Sequence, residues 1–245
     1  MAFFCDNFTV VDIETTGLEP KQDKITEIAA LRVEKGKIAG TFHTLVNPGR
    51  KLEERIRTLT GLSDEDLEKA PFIGEVIQDF LKFETTGCLL GHSILFDYSF
   101  LKRAAVNGGW EFERQGIDTL AISRKYLQSL ESRSLPFLCS HFHIPHKAHR
   151  ALSDVEATLQ LYELLKEQFG QDKDAESVFV PKPLIYKIKK ESPVTKKQIE
   201  QLNRFLSYHN LQSEYIIENM TRNEASRYLD RLISSYGRIP PRSAE

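Results

Sequence analysis

The stretch "FTVVDIETTGLEP" (Phe8 to Pro20) decides how this chain is read. Its first half, "FTVVDI", is apolar and β-branched, the composition of a buried central strand. Yet Asp12 and Glu14 stand at its end, one residue apart. Side chains alternate faces along a strand, so both carboxylates point the same way. Two like charges on one face of a buried strand repel each other and cost desolvation. Something must offset them.

Downstream, "KITEIAALRVEKGKIAGTFHTLVNP" reads as two strands joined by a tight turn at "EKGK", which makes three strands in a row and an antiparallel meander. Helical signals follow. In "LSDEDLEKA", Ser63 is an N-cap with acids in the first turn. "PFIGEVIQDFLKF" spaces its apolar residues at helical period after Pro71. "CLLGHS" (88–93) is a short buried strand, and "LFDYSFLKRAAV" is a helix. "GIDTLAISRKYL" is a short strand leading into a helix, and "SLPFLCSHF" is a further helix. "HRALSDVEATLQLYELLKEQF" (149–169) is a long amphipathic helix. The pattern is that of an α/β protein, a mixed sheet covered by helices.

From Gln171 the composition turns polar and then Pro/Lys-rich, which reads as a linker over 171–192. A small helical unit over 193–245 follows. "TKKQ" (Thr195–Gln198) and "TRNE" (Thr221–Glu224) each match a capping box at the head of an apolar-periodic run. "QLNRFL" (201–206) has a faint likeness to a clamp-binding peptide, but it falls inside the first of these runs and reads as core.

Composition narrows the function classes. The chain has 245 residues, 40% apolar and 28% charged, with a net charge of −2. That is an ordinary globular composition, and the whole chain does not advertise a polyanion partner. The charge is uneven, however: residues 181–245 hold 12 Lys and Arg against 7 Asp and Glu. Three scattered cysteines predict a reducing, cytoplasmic compartment rather than a disulfide scaffold. The start "MAFFCDNFTV" lacks a basic n-region and a long apolar core, so no signal peptide is expected. No apolar run approaches the roughly 20 residues of a membrane span, and no membrane partner is expected.

Three places put acids where a core should be. Asp12 with Glu14 is the first. Asp97, in the otherwise apolar "GHSILFDYSFL", is the second. Asp154, beside the apolar stripe of "HRALSDVEATLQL", is the third. Convergent carboxylates suit hard divalent cations such as Mg²⁺ or Mn²⁺. Two such ions roughly 4 Å apart can stabilise both the attacking and the leaving oxygen of a phosphoryl displacement. On this reading a cation offsets the charge at the end of the first strand. His149, five residues before Asp154, reaches the same place if it sits in the loop ahead of the helix, where a neutral imidazole can take a proton from water. A rival reading gathers Cys139, His141, His143, His146 and His149 into a zinc site. Their spacing fits no usual finger, and most of these histidines read as exposed loop residues.

"VVDIETTGLEP", "TGLSDEDLEKAP", "GHSILFDYSFL" and "HRALSDVEATLQLY" together resemble the successive motifs of the DEDDh (DnaQ-like) exonucleases, the family of the proofreading epsilon subunit of bacterial DNA polymerase III. The resemblance covers roughly residues 6–170, in order and in spacing. It implies a ribonuclease H-like fold with a five-stranded mixed sheet and helices on both faces, an exonuclease domain over 1–170, and 3′→5′ release of nucleoside monophosphates. By this similarity Asp12, Glu14, Asp97 and Asp154 hold two divalent cations and His149 is the general base. The backbone around Thr15, Thr16 and Gly17 approaches the terminal nucleotide, Leu18 wedges beside the last base, and His92 and Phe96 line the substrate cleft. The implied partner is nucleic acid with a 3′ end, DNA favoured, with short RNA as the alternative substrate. A polymerase or repair protein could dock on the C-terminal helices. A non-catalytic end-binding module is the other reading, and the intact acid set with His149 speaks against it. Ser93 departs from the pattern, standing where the family often has Asn.

Overall fold

The computed structural model describes residues 4–240; the outermost residues of the two expected domains, 1–3 and 241–245, lie outside the described residues. The described residues form two compact units, 4–48 with 52–188, and 49–51 with 189–240.

The first unit is built on a six-stranded mixed sheet. Strands β1 (Phe8–Thr15), β2 (Ile25–Glu34) and β3 (Lys37–Leu45) form the expected antiparallel meander. The β2–β3 turn is Lys35–Gly36, both at positive φ (51° and 70°), the backbone twist that a two-residue hairpin requires. Strands β4 (Cys88–Gly91) and β5 (Gln115–Asp118) extend the sheet in parallel from β1. With a short sixth strand, β6 (Lys182–Pro183), the order is β3-β2-β1-β4-β5-β6.

The sixth strand, β6 (Lys182–Pro183), corrects the expected count of five. It lies in the stretch read as linker and pairs antiparallel with Gln115 and Gly116. Two residues ending in proline carry no period-2 signal, so only this edge pairing makes them a strand. Just ahead of it, Phe179 is fully buried against the sheet's own core. Polar composition around a single buried aromatic hides this docking.

Helices cover both faces. Alternation along β1 sends Phe8 and Val10 to one side and Val11 and Ile13 to the other. On the first side lies α7 (Ala151–Phe169), the expected long helix, with Val155, Leu161, Tyr162 and Leu165 fully buried. Tyr162 meets Phe8 edge-on at 5.4 Å. On the second side lie α3 (Ile73–Phe83) and α4 (Leu95–Gly108), with Ile77, Phe80, Tyr98 and Leu101 in the core. Burying one such side chain stabilises by roughly 1.5–3 kcal/mol, so the two faces lock β1 at the centre.

Shorter helices complete the first unit: α1 (Glu54–Thr60), α2 (Asp64–Glu68), α5 (Thr119–Tyr126), α6 (Leu135–Phe142) and α8 (Glu176–Phe179); of these, α5 and α6 contribute to the cleft described below. Ser63 caps α2 by accepting from the Asp66 N–H, as its sequence predicts.

The second unit contains α9 (Lys196–Tyr208) and α10 (Arg222–Tyr236), each opened by the expected capping box. Leu202, Phe205 and Leu206 pack with Tyr228 and Leu232 in its own core. "QLNRFL" is therefore core, as its period indicates. Among the described residues, no helix is long and apolar enough to cross a membrane.

Candidate active site

Asp12 and Glu14 continue the Phe8–Val10 face of β1, the face that α7 covers. Asp12 pairs across the ladder with Ala29, and Glu14 pairs with Glu27. Asp154 lies on the first turn of α7 and is buried. Carboxylate oxygens of Asp12, Glu14 and Asp154 all come within 4.8 Å of one another. Asp97 arrives from the other layer. It sits on the first turn of α4, which starts just beyond the end of β4, next to β1. There its Oδ1 accepts from the Ile13 N–H at 3.1 Å.

Burial and mutual repulsion dominate the electrostatics. Burial pushes the Asp12 carboxyl well above its usual range, and Asp97, Asp154, Glu14 and Glu27 push it further. Asp97 is raised as well, mainly by burial, although the Ile13 N–H opposes the shift. Glu14 is pushed up to about 8, by burial first and then by Asp154 and Glu27, while the Arg150 guanidinium pulls it back. Hard oxygen donors that repel one another in a largely buried cluster are the donor set that divalent cations satisfy. The residues present therefore fit the expected metal.

One cleft gathers Asp12, Glu14, Asp97, Asp154 and His149 together with Leu18, His92 and Phe96. Leu18 is 79% exposed, an apolar side chain held out into solvent at the cleft edge. His149 has a left-handed backbone (φ 62°) just ahead of α7, in the loop position expected of it. Thr15, Thr16 and Gly17 form the adjoining turn rather than the lining. Thr15 Oγ1 donates to the Gly17 carbonyl (2.6 Å), and Thr16 Oγ1 donates to Asp23 Oδ1 (3.2 Å). A Cβ at 17 would stand 2.5 Å from Asp23 Oδ2, so any larger residue there must displace the carboxylate that accepts from Thr16 Oγ1.

His92 lines the cleft but has both ring nitrogens engaged. Nε2 donates to the Arg133 carbonyl (2.8 Å), and Nδ1 lies 2.9 Å from Thr119 Oγ1. Burial pushes its pKa down, which keeps the ring neutral. It ties the loop between α5 and α6 to the end of β4.

The zinc reading does not assemble. Cys139 is buried in the core, His141 and His143 are exposed, and among the described residues the Cys/His group is not gathered at one point.

A profile of the family described as Exonuclease matches residues 9–162, which takes in every residue of this cleft. The chain belongs to that exonuclease family. A PolC-type DNA polymerase III of Thermotoga petrophila is 38% identical over 157 residues, which is 63% of this chain but 11% of that protein. The DNA polymerase III epsilon subunit of Aquifex aeolicus is 33% identical over 163 residues, 66% of this chain and 81% of that one. The chain thus spans about a ninth of the PolC-type relatives it matches. Among solved structures, an E. coli exonuclease I–single-stranded DNA complex superimposes with a TM-score of 0.62 at 19% identity, covering 68% of this chain and 41% of that one. Exonuclease X in complex with 5′-overhanging duplex DNA gives 0.54 at 24% identity, covering 70% and 97%. Both likenesses support the exonuclease fold.

The site of this exonuclease-family chain also holds residues that sequence reasoning missed. Glu27 is fully buried beside Glu14, accepts from His43 Nε2 at 2.7 Å and lies 3.9 Å from the Arg150 guanidinium. Its signal was available, an acid inside the apolar "ITEIAAL", the same criterion that finds Asp12. His146 is an exception to the exposed histidines around it: its ring is only 5% exposed, with Nε2 2.7 Å from Asp154 Oδ1. No sequence periodicity links positions 146 and 154, because the chain turns back between them.

Proposed function

We propose that this chain is a metal-dependent 3′→5′ exonuclease that releases nucleoside monophosphates from single-stranded or frayed DNA ends. The observation that carries this reading is the convergence of the Asp12, Glu14 and Asp154 carboxylates within 4.8 Å, in a cleft that also contains Asp97, His149 and two apolar contacts, Leu18 and Phe96. Asp12, Glu14, Asp97 and Asp154 would hold two divalent cations, Mg²⁺ or Mn²⁺. Bound there, such ions supply Lewis-acid stabilisation of charge developing on the phosphate oxygens. His149 takes the proton from the attacking water at its free imidazole nitrogen. Leu18 presses beside the terminal base and Phe96 offers a ring to the sugar or base, so both orient the strand. Thr15, Thr16 and Gly17 bring the β1 turn up to the terminal nucleotide, with the two threonine hydroxyls already spent inside the turn. His92 acts on substrate through the loop it holds.

Relatives named as DNA polymerase III components support DNA over RNA and action in the cytoplasm. We assign catalysis to 1–170, with the following segment through 188 completing its sheet, and read 193–245 as an accessory unit that engages the nucleic acid or a polymerase or repair partner.

The test offers matched DNA and RNA single strands, labelled at the 5′ end, with Mg²⁺, Mn²⁺ or chelator. The reading expects stepwise shortening of DNA, mononucleotide products, and no reaction in chelator. Preferred digestion of RNA would replace the substrate, and internal cuts at early times would overturn the reading.

A further inference from the structure

The turn between α6 and α7 is fastened to the first turn of α7 at three points. The Lys147 N–H donates to Ser153 Oγ (2.8 Å), the Arg150 N–H donates to Asp154 Oδ2 (2.9 Å), and His146 Nε2 stands 2.7 Å from Asp154 Oδ1. A carboxylate only accepts, so His146 Nε2 carries the proton and donates. Each oxygen of Asp154 therefore has one protein donor. The plane of the carboxylate is fixed by these two bonds, and each oxygen keeps a further lone pair for the space shared with Asp12 and Glu14.

The two histidines of this turn differ in what they touch. The His146 ring is 5% exposed and committed to Asp154. His149 lines the cleft, and among the described residues no hydrogen bond holds its ring. A side chain on a first helical turn has several rotamers, and an acid surrounded by other acids is driven to turn away from them. A buried donor aimed at one of its oxygens opposes that rotation. Partners that orient a metal-binding side chain in this way typically change metal affinity or activity by 10–100-fold when removed.

We propose that His146 is a positioning residue. Its Nε2–H holds the Asp154 carboxylate in the orientation that binds a divalent cation, and so sets the affinity of the site, while His149 is left free for the substrate. This rests on the metal-dependent reading above.

The experiment titrates the full chain with Mn²⁺ by calorimetry, without nucleic acid, at one pH. It compares the parent with His146→Ala, His146→Asn, His146→Gln, His149→Ala and Asp154→Asn. A Gln amide nitrogen stands where Nε2 stands, whereas an Asn amide is too short to reach. His146→Ala and His146→Asn are expected to weaken Mn²⁺ by about 10–100-fold. His146→Gln should stay within about threefold of the parent, and His149→Ala should bind as the parent does. In turnover, His146→Ala should recover toward the parent rate at saturating Mn²⁺ and keep the parent's pH dependence. Parent-like Mn²⁺ affinity in His146→Ala overturns the proposal. So does a His146→Gln as weak as His146→Asn, because ring packing rather than the Nε2–H bond would then be responsible. If Asp154→Asn also binds Mn²⁺ like the parent, the metal reading itself fails. Should His146→Ala not fold, the Gln and Asn pair still decides.

Discussion

Glu14→Gln should make the metal-free protein more stable at neutral and alkaline pH. The carboxyl is pushed from its ordinary 4.5 to about 8, by burial first and then by Asp154 and Glu27. A raised folded-state pKa means that the native state prefers the protonated form. That contribution is fully present below pH 4.5 and is lost as pH rises through 8. At pH 7.5 an unfolded chain ionises Glu14 freely while the native state resists, a difference of about 4 kcal/mol. Water in the cleft screens part of the repulsion, so we take about 2–4 kcal/mol. Gln removes the titration and keeps the shape. In a chain of this size that corresponds to a rise in Tm of roughly 4–16 °C. The assay is denaturation of parent and Glu14→Gln in chelator between pH 4.5 and 8.5. The two curves should nearly coincide at the acid end and separate progressively toward pH 8. Saturating Mg²⁺ should narrow or invert the gap, because the cation then favours the carboxylate. Parallel curves, or a parent more stable than Glu14→Gln at pH 8 in chelator, would refute the repulsion argument.

Three further outcomes follow from the geometry. His149→Ala should lose on the order of 10²–10⁴ in rate, together with the limb of the pH–rate profile that follows imidazole ionisation, and calorimetry should show its metal affinity unchanged. Ser93 has φ 71°, a left-handed conformation that asparagine tolerates better than serine, so Ser93→Asn should gain about 0.5–1 kcal/mol in urea unfolding. Deleting 189–245, a cut that spares β6, should leave cleavage of short oligonucleotides intact. If the basic C-terminal unit holds the strand, the salt dependence of affinity for a long single strand, measured on Asp12→Ala protein, should flatten by roughly 0.7 per lost phosphate contact; superimposable titrations would instead favour docking of a protein partner.

The features legible in the sequence were those whose physics is local. The β-branched run of β1, the Lys35–Gly36 turn and the Thr195 and Thr221 caps each reflect constraints within a few residues. Asp12, Glu14, Asp97 and Asp154 were legible because an acid in an apolar setting is costly unless it serves something. Glu27 obeys the same rule, but the strong strand periodicity of "ITEIAALRV" masks its charge. The rest depended on tertiary contacts. His146 reaches Asp154 only because the turn folds back on α7, and β6 is a strand only because β5 presents an edge. His92 was read as a group facing the substrate, and only the structure reveals that Thr119 and the Arg133 carbonyl occupy its ring.

On the proposed mechanism, cations held by the β1, α4 and α7 carboxylates act on the phosphodiester that joins the 3′-terminal nucleotide. The most direct measurement replaces one non-bridging oxygen of that terminal linkage with sulfur and compares single-turnover rates in Mg²⁺ and Mn²⁺. Mg²⁺ prefers oxygen, and Mn²⁺ accepts sulfur more readily. One sulfur diastereomer should be cleaved slowly in Mg²⁺ and recover in Mn²⁺, with neither cleaved by Asp12→Ala. Equal slowing in both metals for both diastereomers would contradict it.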